Sequence, residues 1–124
     1  LMVKDYTKYI ITKWCLRYFF SGLIWWRRFP KKEYLFEGPM ISLELGRWFA
    51  RKKIHLLGLE TPGVHPEKWE EVHKVLLRAE IVVVEGLAYL NKLRNDRVFF
   101  IAAPLKIKGR DGSPVRAMAV EGLA

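Results

Sequence analysis

Residues 54–84, IHLLGLETPGVHPEKWEEVHKVLLRAEIVVV, have the pattern of a strand, a helix and a second strand in succession. Residues 54–59 are mostly apolar, which is typical of a strand buried on both faces. Residues 66–79 begin with a proline, which the first turn of a helix tolerates, and carry acidic residues near the start, as the helix dipole favours. Residues 81–84 form a short β-branched strand. This alternation predicts an α/β layer fold.

Another helix is predicted upstream, after Pro39. Ser42 is a suitable N-cap because its hydroxyl accepts a bond from a free backbone N–H, and the basic residues 51–53 suit the C-terminal end. Helical spacing predicts one buried apolar face on each helix. These faces are Leu45, Trp48 and Phe49 on the first helix, and Trp69, Val72, Val75, Leu76 and Ala79 on the second.

The two ends of the chain carry further, shorter signals. Residues 98–102 and Val115–Val120 are predicted strands, and the glycine-rich and proline-containing residues 109–114 form a strong turn between them. Residues 1–3 are expected to form the stub of a strand. Residues 5–38 show no clean period, so they are interpreted as an irregular, partly helical segment.

Charge and aromatic residues are concentrated in the first part of the chain. Residues 1–53 contribute +8 of the formal net charge of +9 and hold thirteen of the seventeen aromatic residues in a chain of 124. Such a segment suits a non-enzymatic basic module that binds nucleic acid, because phosphates attract cations and bases stack on rings. The alternative is packing against a partner protein or a missing part of the fold. We favour this second interpretation, since no RNA-binding signature is present.

Several classes of protein are excluded by composition. A single cysteine, Cys15, allows neither an internal disulfide framework nor a thiolate zinc cluster. The apolar run at residues 14–26 contains Arg17 and is shorter than the roughly 20 residues of a membrane-spanning helix. No membrane association is therefore expected, and the cytoplasm is the expected location. Dinucleotide-binding, P-loop and serine-hydrolase elbow motifs do not occur.

One pair of residues suggests metal chemistry. The three histidines, His55, His65 and His73, are too far apart in sequence for the i, i+4 spacing of a helical zinc site. His73 lies on the predicted second helix, however, and Glu85 follows the strand after it. A helix that returns into a strand brings such residues together, and imidazole with carboxylate suits zinc or manganese. The alternative is a surface histidine and a strand-end glutamate without a shared role.

Longer motifs carry a resemblance to a known family. HKVLLRAEIVVVEGL, residues 73–87, and APLKIKGRDGSPVRA, residues 103–117, resemble the C-terminal half of the metal-dependent cyclase family, which includes bacterial kynurenine formamidase (arylformamidase). GLETPG, residues 58–63, is similar to the family's preceding strand and turn, with Glu60 where aspartate is common. Arg110 departs from the glycine of the tail motif. The resemblance makes residues 1–124 a partial cyclase-family domain, with an irregular aromatic and basic segment at 1–38 and the family-like half at 39–122.

The resemblance implies a fold and an activity. The expected fold is a cyclase-like mixed sheet with flanking helices, of the swivelling β/β/α type and truncated on its N-terminal side. The implied activity is hydrolysis of an amide such as N-formylkynurenine by a metal-bound hydroxide, a reaction of tryptophan catabolism. His73 and Glu85 are implied ligands of one of two zinc or manganese ions, and Thr61 and Pro62 are expected to line the substrate site.

The other residues of the motifs have structural roles by the same resemblance. Asp111, Ser113 and Arg116 match the tail motif as turn and strand-end residues that shape the fold. His55 and His65 match no ligand of the family. We expect His55 to be a packed or paired strand histidine and His65 to be a helix-entry residue.

The family's defining signature, H-x-G-T-H-x-D-x-P-x-H, does not occur in the chain. It supplies the remaining metal ligands and a histidine for proton transfer, so no catalytic residue is assigned here. One histidine and one glutamate leave a metal under-coordinated, and a weakly held ion does not lower the pKa of its bound water enough for hydrolysis. We therefore expect the chain alone to be inactive or nearly so. We also expect it to form a homo-oligomer or to pair with a complementing N-terminal half.

Overall fold

A computed structural model of the protein describes residues 7–12, 15–20, 25–95 and 97–122, with side chains described from Arg27 onward. The residues within these ranges form six strands, three α-helices and two short 3-10 turns. The strands are β1 (Thr7–Thr12), β2 (Cys15–Phe20), β3 (Leu56–Leu59), β4 (Val82–Val84), β5 (Phe99–Pro104) and β6 (Val115–Val120). The helices are α1 (Lys32–Phe36), α2 (Leu43–Arg51) and α3 (Trp69–Arg78), and the 3-10 turns span Trp25–Arg28 and Leu90–Lys92.

The strands form two sheets. A four-stranded sheet has the order β1-β2-β3-β4, and a two-stranded sheet pairs β5 with β6. In the larger sheet β1 runs antiparallel to β2, whereas β2 to β3 and β3 to β4 are parallel pairs. The sheet is therefore mixed, and helix α3 makes the crossover between β3 and β4. The α/β class with helices flanking a mixed sheet is confirmed.

The central strand β3 is buried on both faces, as its apolar sequence predicts. Leu57 and Leu59 join the larger core cluster with Phe49 of α2 and Leu76 of α3. Leu56 points to the opposite face, where it joins Val84 and Phe100 in a second cluster. Alternation along the strand thus divides the protein into two cores that share one sheet.

Helix α2 begins where the sequence predicts. The Ser42 hydroxyl accepts a hydrogen bond from the Leu45 backbone N–H at 3.1 Å, so Ser42 is the N-cap. Phe49 is buried and Leu45 packs against the larger core, but Trp48 is 37% exposed and makes an edge contact with the Phe49 ring. The apolar face of α2 is therefore narrower than predicted.

Helix α3 begins three residues later than predicted, at Trp69. The backbone N–H groups of Glu67 and Lys68 donate to the His65 ring, so this segment is a turn that precedes the helix. Val72 and Leu76 are buried as predicted, whereas Trp69 is 56% exposed. The prediction of a buried Trp69 is wrong because this residue is the first of the helix and lies at its exposed end.

The interpretation of residues 5–38 as irregular is wrong in part. β1 and β2 form an antiparallel pair in which Thr12 is opposite Cys15, and β2 adds to the sheet beside β3. The later part of the segment is partly helical, as expected, with a 3-10 turn followed by α1. The strand predicted at residues 1–3 lies outside the described residues.

The pair β5–β6 forms a ribbon with one covered and one open face. Phe100 faces the second core cluster and is 8% exposed. Phe99 and Ile101 lie on the other face, opposite Val120 and Met118, and these four side chains are between 36% and 44% exposed. We call this set the open apolar face. Within the described part of the chain, none of the helices combines the length and the apolar character that crossing a bilayer requires.

Candidate metal-binding site

The structure brings His73 and Glu85 together. His73 lies in the second turn of α3, and Glu85 follows the last residue of β4. His73 Nε2 is 3.2 Å from Glu85 Oε1, and the two side chains retain 27% and 30% of their exposure. The β3–α3–β4 crossover therefore places both groups on one side of the molecule, although twelve residues separate them in sequence.

The His73 ring is oriented by its own helix. Its Nδ1 lies 2.8 Å from the Trp69 carbonyl oxygen, which can only accept a hydrogen bond. Nδ1 therefore carries the proton, and in the neutral ring Nε2 presents an electron pair to Glu85. Two electron-pair donors at this distance need a cation between them, either a proton or a metal ion. A histidine bound to a metal is held by the same kind of bond from its other nitrogen to a carbonyl.

Burial raises the pKa of the Glu85 carboxyl above its ordinary value. The opposite charge of His73, a hydrogen bond with the Val64 backbone and the bond with His73 lower the pKa by less than burial raises it. A carboxylate that is partly removed from water in this way gains from any cation that comes near it. The environment of Glu85 therefore favours a bound positive charge.

The pair fits one side of a metal coordination sphere. Two donors that each bind one zinc ion at about 2.0–2.1 Å with a tetrahedral angle lie about 3.4 Å apart. The observed separation of 3.2 Å is close to that spacing. Among the described residues, however, no group of three or more histidine, cysteine, aspartate or glutamate side chains is arranged to hold a metal. The residues present supply two donors of the right kind.

A cavity of about 350 Å³ opens beside the pair. Its wall includes both His73 and Glu85, and Thr61 and Pro62 lie in it as well, where the family resemblance places the substrate. Most of the remaining wall is aromatic, proline or other apolar surface. These remaining lining residues are Tyr34, Leu35, Phe36, Gly38, Pro39, Gly63, His65, Pro66 and Trp69.

Backbone hydrogen bonds fix the chain directly after Glu85. The Gly86 N–H donates to the Thr61 carbonyl at 2.8 Å, and the Leu87 N–H donates to the Leu59 carbonyl at the same distance. Gly86 has a φ of +67°, which a residue with a Cβ adopts only with strain. Glu85 precedes this turn and lines the cavity. The positive φ explains why a glycine follows Glu85 in the E-G-L motif.

Tyr34 contributes the floor of the cavity from the aromatic segment. Its hydroxyl donates to the Glu60 carbonyl at 3.4 Å, and its side chain is 8% exposed. Burial, followed by the nearby Glu60 carboxylate, raises the pKa of the Tyr34 hydroxyl. Tyr34 therefore stays protonated and acts as a neutral polar group in this wall.

The other two histidines differ from each other. His55 was expected to be a packed or paired strand histidine. It is exposed and lies one residue before β3, so the prediction is wrong about its packing and its place in the strand. His65 is at the entry to α3, as expected, where its Nδ1 accepts from two backbone N–H groups. No pattern in the sequence connects His65, Tyr34 or Trp69 with the cavity. Only the position of His65, just after the T-P-G turn, hinted at its place.

The tail motif lies on the far side of Glu85. Asp111 and Ser113 are in the loop between β5 and β6, and Arg116 is the second residue of β6, opposite Ala103. The loop lines a second cavity of about 660 Å³, which also includes Glu85 in its wall. Glu85 therefore stands between the two cavities.

The basic residues of the first part of the chain are exposed where the structure describes them. Arg27, Arg28, Lys31 and Lys32 lie on the surface near α1. None of them lines the cavity beside His73. Binding of nucleic acid through residues 1–53 stays a prediction.

Comparison with known proteins finds relatives of one kind. No family model matches the chain. A kynurenine formamidase from Erythrobacter litoralis is 32% identical over 98 residues, which cover 77% of this chain and 45% of the relative. A kynurenine formamidase from Bordetella petrii is 37% identical over 76 residues, covering 60% of this chain and 36% of the relative. The chain thus spans less than half the length of these curated relatives.

A solved structure agrees with these relatives. A potential metal-dependent hydrolase with cyclase activity superposes with a TM-score of 0.58 at 30% identity, covering 64% of this chain and 40% of that one. The mixed α/β fold and both kinds of comparison point the same way. Over the part that these matches cover, the chain is similar to proteins of the cyclase-like family.

Proposed function

We propose that the chain supplies His73 and Glu85 as two ligands of a divalent metal in a hydrolase of the cyclase-like family. The observation that carries the proposal is the 3.2 Å approach of His73 Nε2 to Glu85 Oε1 in the wall of a cavity. The substrate we propose is an amide such as N-formylkynurenine, because the relatives named above are kynurenine formamidases. Zinc and manganese both accept imidazole and carboxylate ligands.

Each residue of the chain has a separate part in this proposal. The Trp69 carbonyl holds the His73 ring so that Nε2 faces the ion, and Glu85 supplies a negative charge. A divalent metal, when bound, supplies a Lewis acid and lowers the pKa of a water molecule toward about 7. Thr61 and Pro62 line the space next to these ligands, where the substrate would lie.

We further propose that this chain does not complete the site alone. Two ligands leave a metal ion weakly held, and a weakly held ion is a poor activator of water. A complementing N-terminal half, or a second copy of the chain, is the proposed source of the remaining ligands. The open apolar face supports a partner, because a contiguous exposed apolar surface marks an interaction site.

The first test measures metal affinity with zinc and manganese in a competition titration against a chromophoric chelator. Removing either ligand, in His73→Ala or Glu85→Gln, is expected to weaken binding at least tenfold, since even outer-shell changes at metal sites cost about that much. His55→Ala is the matched control because His55 is exposed and outside the cavity. An unchanged affinity in both ligand variants would falsify the proposed metal site.

The second test measures hydrolysis of N-formylkynurenine with added zinc or manganese. The chain alone is expected to show little or no turnover. Mixing it with the N-terminal half of a formamidase relative is expected to give chelator-sensitive turnover that His73→Ala abolishes. Robust chelator-sensitive turnover by the chain alone contradicts the proposed need for a complementing part.

A further inference from the structure

His65 is a second histidine in the same cavity, and the family resemblance gives it no role. It lies on the loop between β3 and α3, and its partly buried side chain forms part of the wall that also includes His73 and Glu85. Its hydrogen bonds place the ring proton on a different nitrogen from that of His73, so the two rings present different groups to a ligand.

The backbone fixes which nitrogen of His65 carries a proton. Nδ1 accepts hydrogen bonds from the Glu67 N–H at 3.1 Å and from the Lys68 N–H at 3.0 Å. A nitrogen that accepts from two donors holds no proton, so the proton of the ring is on Nε2. His73 has the opposite arrangement, because its Nδ1 faces the Trp69 carbonyl and its Nε2 has the electron pair. One ring is suited to a metal ion, whereas the other is a hydrogen-bond donor.

The wall around His65 indicates the kind of ligand. Apolar rings line the cavity from several sides, among them those of Phe36, Pro62 and Trp69. A cavity with flat apolar walls and few polar groups binds a planar aromatic ligand and uses the polar groups to orient it. An N–H donor in such a wall favours ligands that carry an oxygen acceptor.

We propose that His65 is a positioning and specificity residue, whose Nε2–H donates to a carbonyl or carboxylate oxygen of an aromatic ligand bound in this cavity. The inference deepens the proposed function because it concerns the substrate space beside the metal ligands. It does not require a metal ion, so it is tested separately. His65 holds the ligand by one hydrogen bond and takes no part in bond breaking.

The experiment uses two probes that differ in one oxygen. Binding of 2-aminoacetophenone and of 2-ethylaniline to the full chain is measured by ligand-observed NMR titration in the presence of a chelator. The wild-type chain is expected to bind the ketone about fivefold more tightly, the worth of one hydrogen bond. Equal affinity for the two probes, or no binding of either, overturns the proposal.

Two variants separate the donor from the structural role of the ring. In His65→Asn the side-chain oxygen replaces Nδ1 and still accepts from the backbone, as asparagine does at helix starts, but the Nε2 donor is gone. In His65→Gln the amide reaches the position of Nε2 but no longer bonds the turn. We expect His65→Asn to keep its melting temperature and lose the preference for the ketone. We expect His65→Gln to melt lower and keep the preference.

The opposite pattern overturns the proposal. If His65→Asn keeps the fivefold preference, the ring acts only by capping the turn. These outcomes are independent of the metal titration, because the probes are measured with a chelator present. Loss of metal binding in the His73 variant therefore bears on the proposed function and leaves the His65 result unchanged.

Discussion

The four-stranded sheet and the β5–β6 ribbon bury their side chains very differently. Leu57 of β3 is fully buried between α2, α3 and the neighbouring strands. Met118 of β6 is 43% exposed, although it lies in a strand of equal regularity. The first region covers its core with its own helices, whereas the second covers only one face of the ribbon. Regular strand geometry therefore does not by itself ensure that both faces of a strand are buried.

The candidate site lies where these two regions meet. His73 belongs to the covered region, and Glu85 follows β4 and stands between the cavity of that region and the cavity under the β5–β6 loop. Side chains at such a boundary keep part of their exposure, as those of His73 and Glu85 do. The position between the two regions thus explains why the side chains of His73 and Glu85 are both partly accessible.

Truncating Leu57 is expected to have the largest effect on stability. In Leu57→Ala the removed side chain leaves a cavity in the larger core, so the free energy of unfolding should fall by about 2–5 kcal/mol. Met118→Ala on the open apolar face should change it by only about 0.5 kcal/mol. Urea unfolding at low protein concentration measures both values.

Varying the protein concentration distinguishes a loss of core packing from a loss of association. If the open apolar face binds a partner copy, Met118→Ala weakens association at high concentration, while the effect of Leu57→Ala is the same at all concentrations. Equal losses of stability in the two variants at low concentration would mean that the ribbon is as well packed as the sheet. Sedimentation velocity at several concentrations distinguishes these outcomes.

Replacing Glu85 is expected to have a smaller effect that depends on pH. Because burial raises the pKa of Glu85 in the folded state, its stabilising contribution is complete below the ordinary glutamate value of 4.5 and is lost as pH rises through the raised pKa. Glu85→Gln should therefore be slightly more stable than the wild type at neutral pH, by less than about 1 kcal/mol, because the side chain is partly exposed. The gain should shrink as the pH falls toward 4.5.

Glu70→Gln is the control for this pH dependence. The pKa of Glu70 is lowered, first by its hydrogen bond from Lys74 and then by the charge of Lys74. Its contribution is therefore present at neutral pH and lost on acidification, which is the opposite sign. Thermal melts of both variants between about pH 4 and pH 8 test this contrast, because carboxyl groups with ordinary or raised pKa values titrate in this range. The same sign in both variants would contradict the assigned cause for Glu85.

Local signals predicted the elements that are determined by neighbouring residues. Ser42 fixed the start of α2 because a cap bond needs only the next three residues, and Val115–Val120 has the predicted bounds. The start of α3 was predicted too early because the bonds from Glu67 and Lys68 to the His65 ring are not visible as a pattern. A ring nitrogen that takes two backbone donors is a detail of geometry rather than of composition.

The pair β1–β2 was missed for a different reason. Residues 13 and 14, which join these strands, are lysine and tryptophan and lack the Asn-Gly or Asp-Gly signal of a tight hairpin. In the site, the spacing of His73 and Glu85 suggested a metal pair, but the sequence alone left a structural role open. The cavity wall from Tyr34 and Trp69 was not predicted, because it joins segments that are distant in the chain.

The parallel pairing of β2 with β3 has a consequence for folding. These neighbours are joined through the whole segment between Phe20 and Leu56, so their contact closes a long loop, whereas β3, α3 and β4 follow each other directly. Closing this loop costs conformational entropy before the strand pairing contributes any stabilisation. Long-range parallel pairing is therefore slow. We therefore expect the β3–α3–β4 unit to assemble early on the folding pathway, so that His73 and Glu85 come together before the β1–β2 hairpin docks.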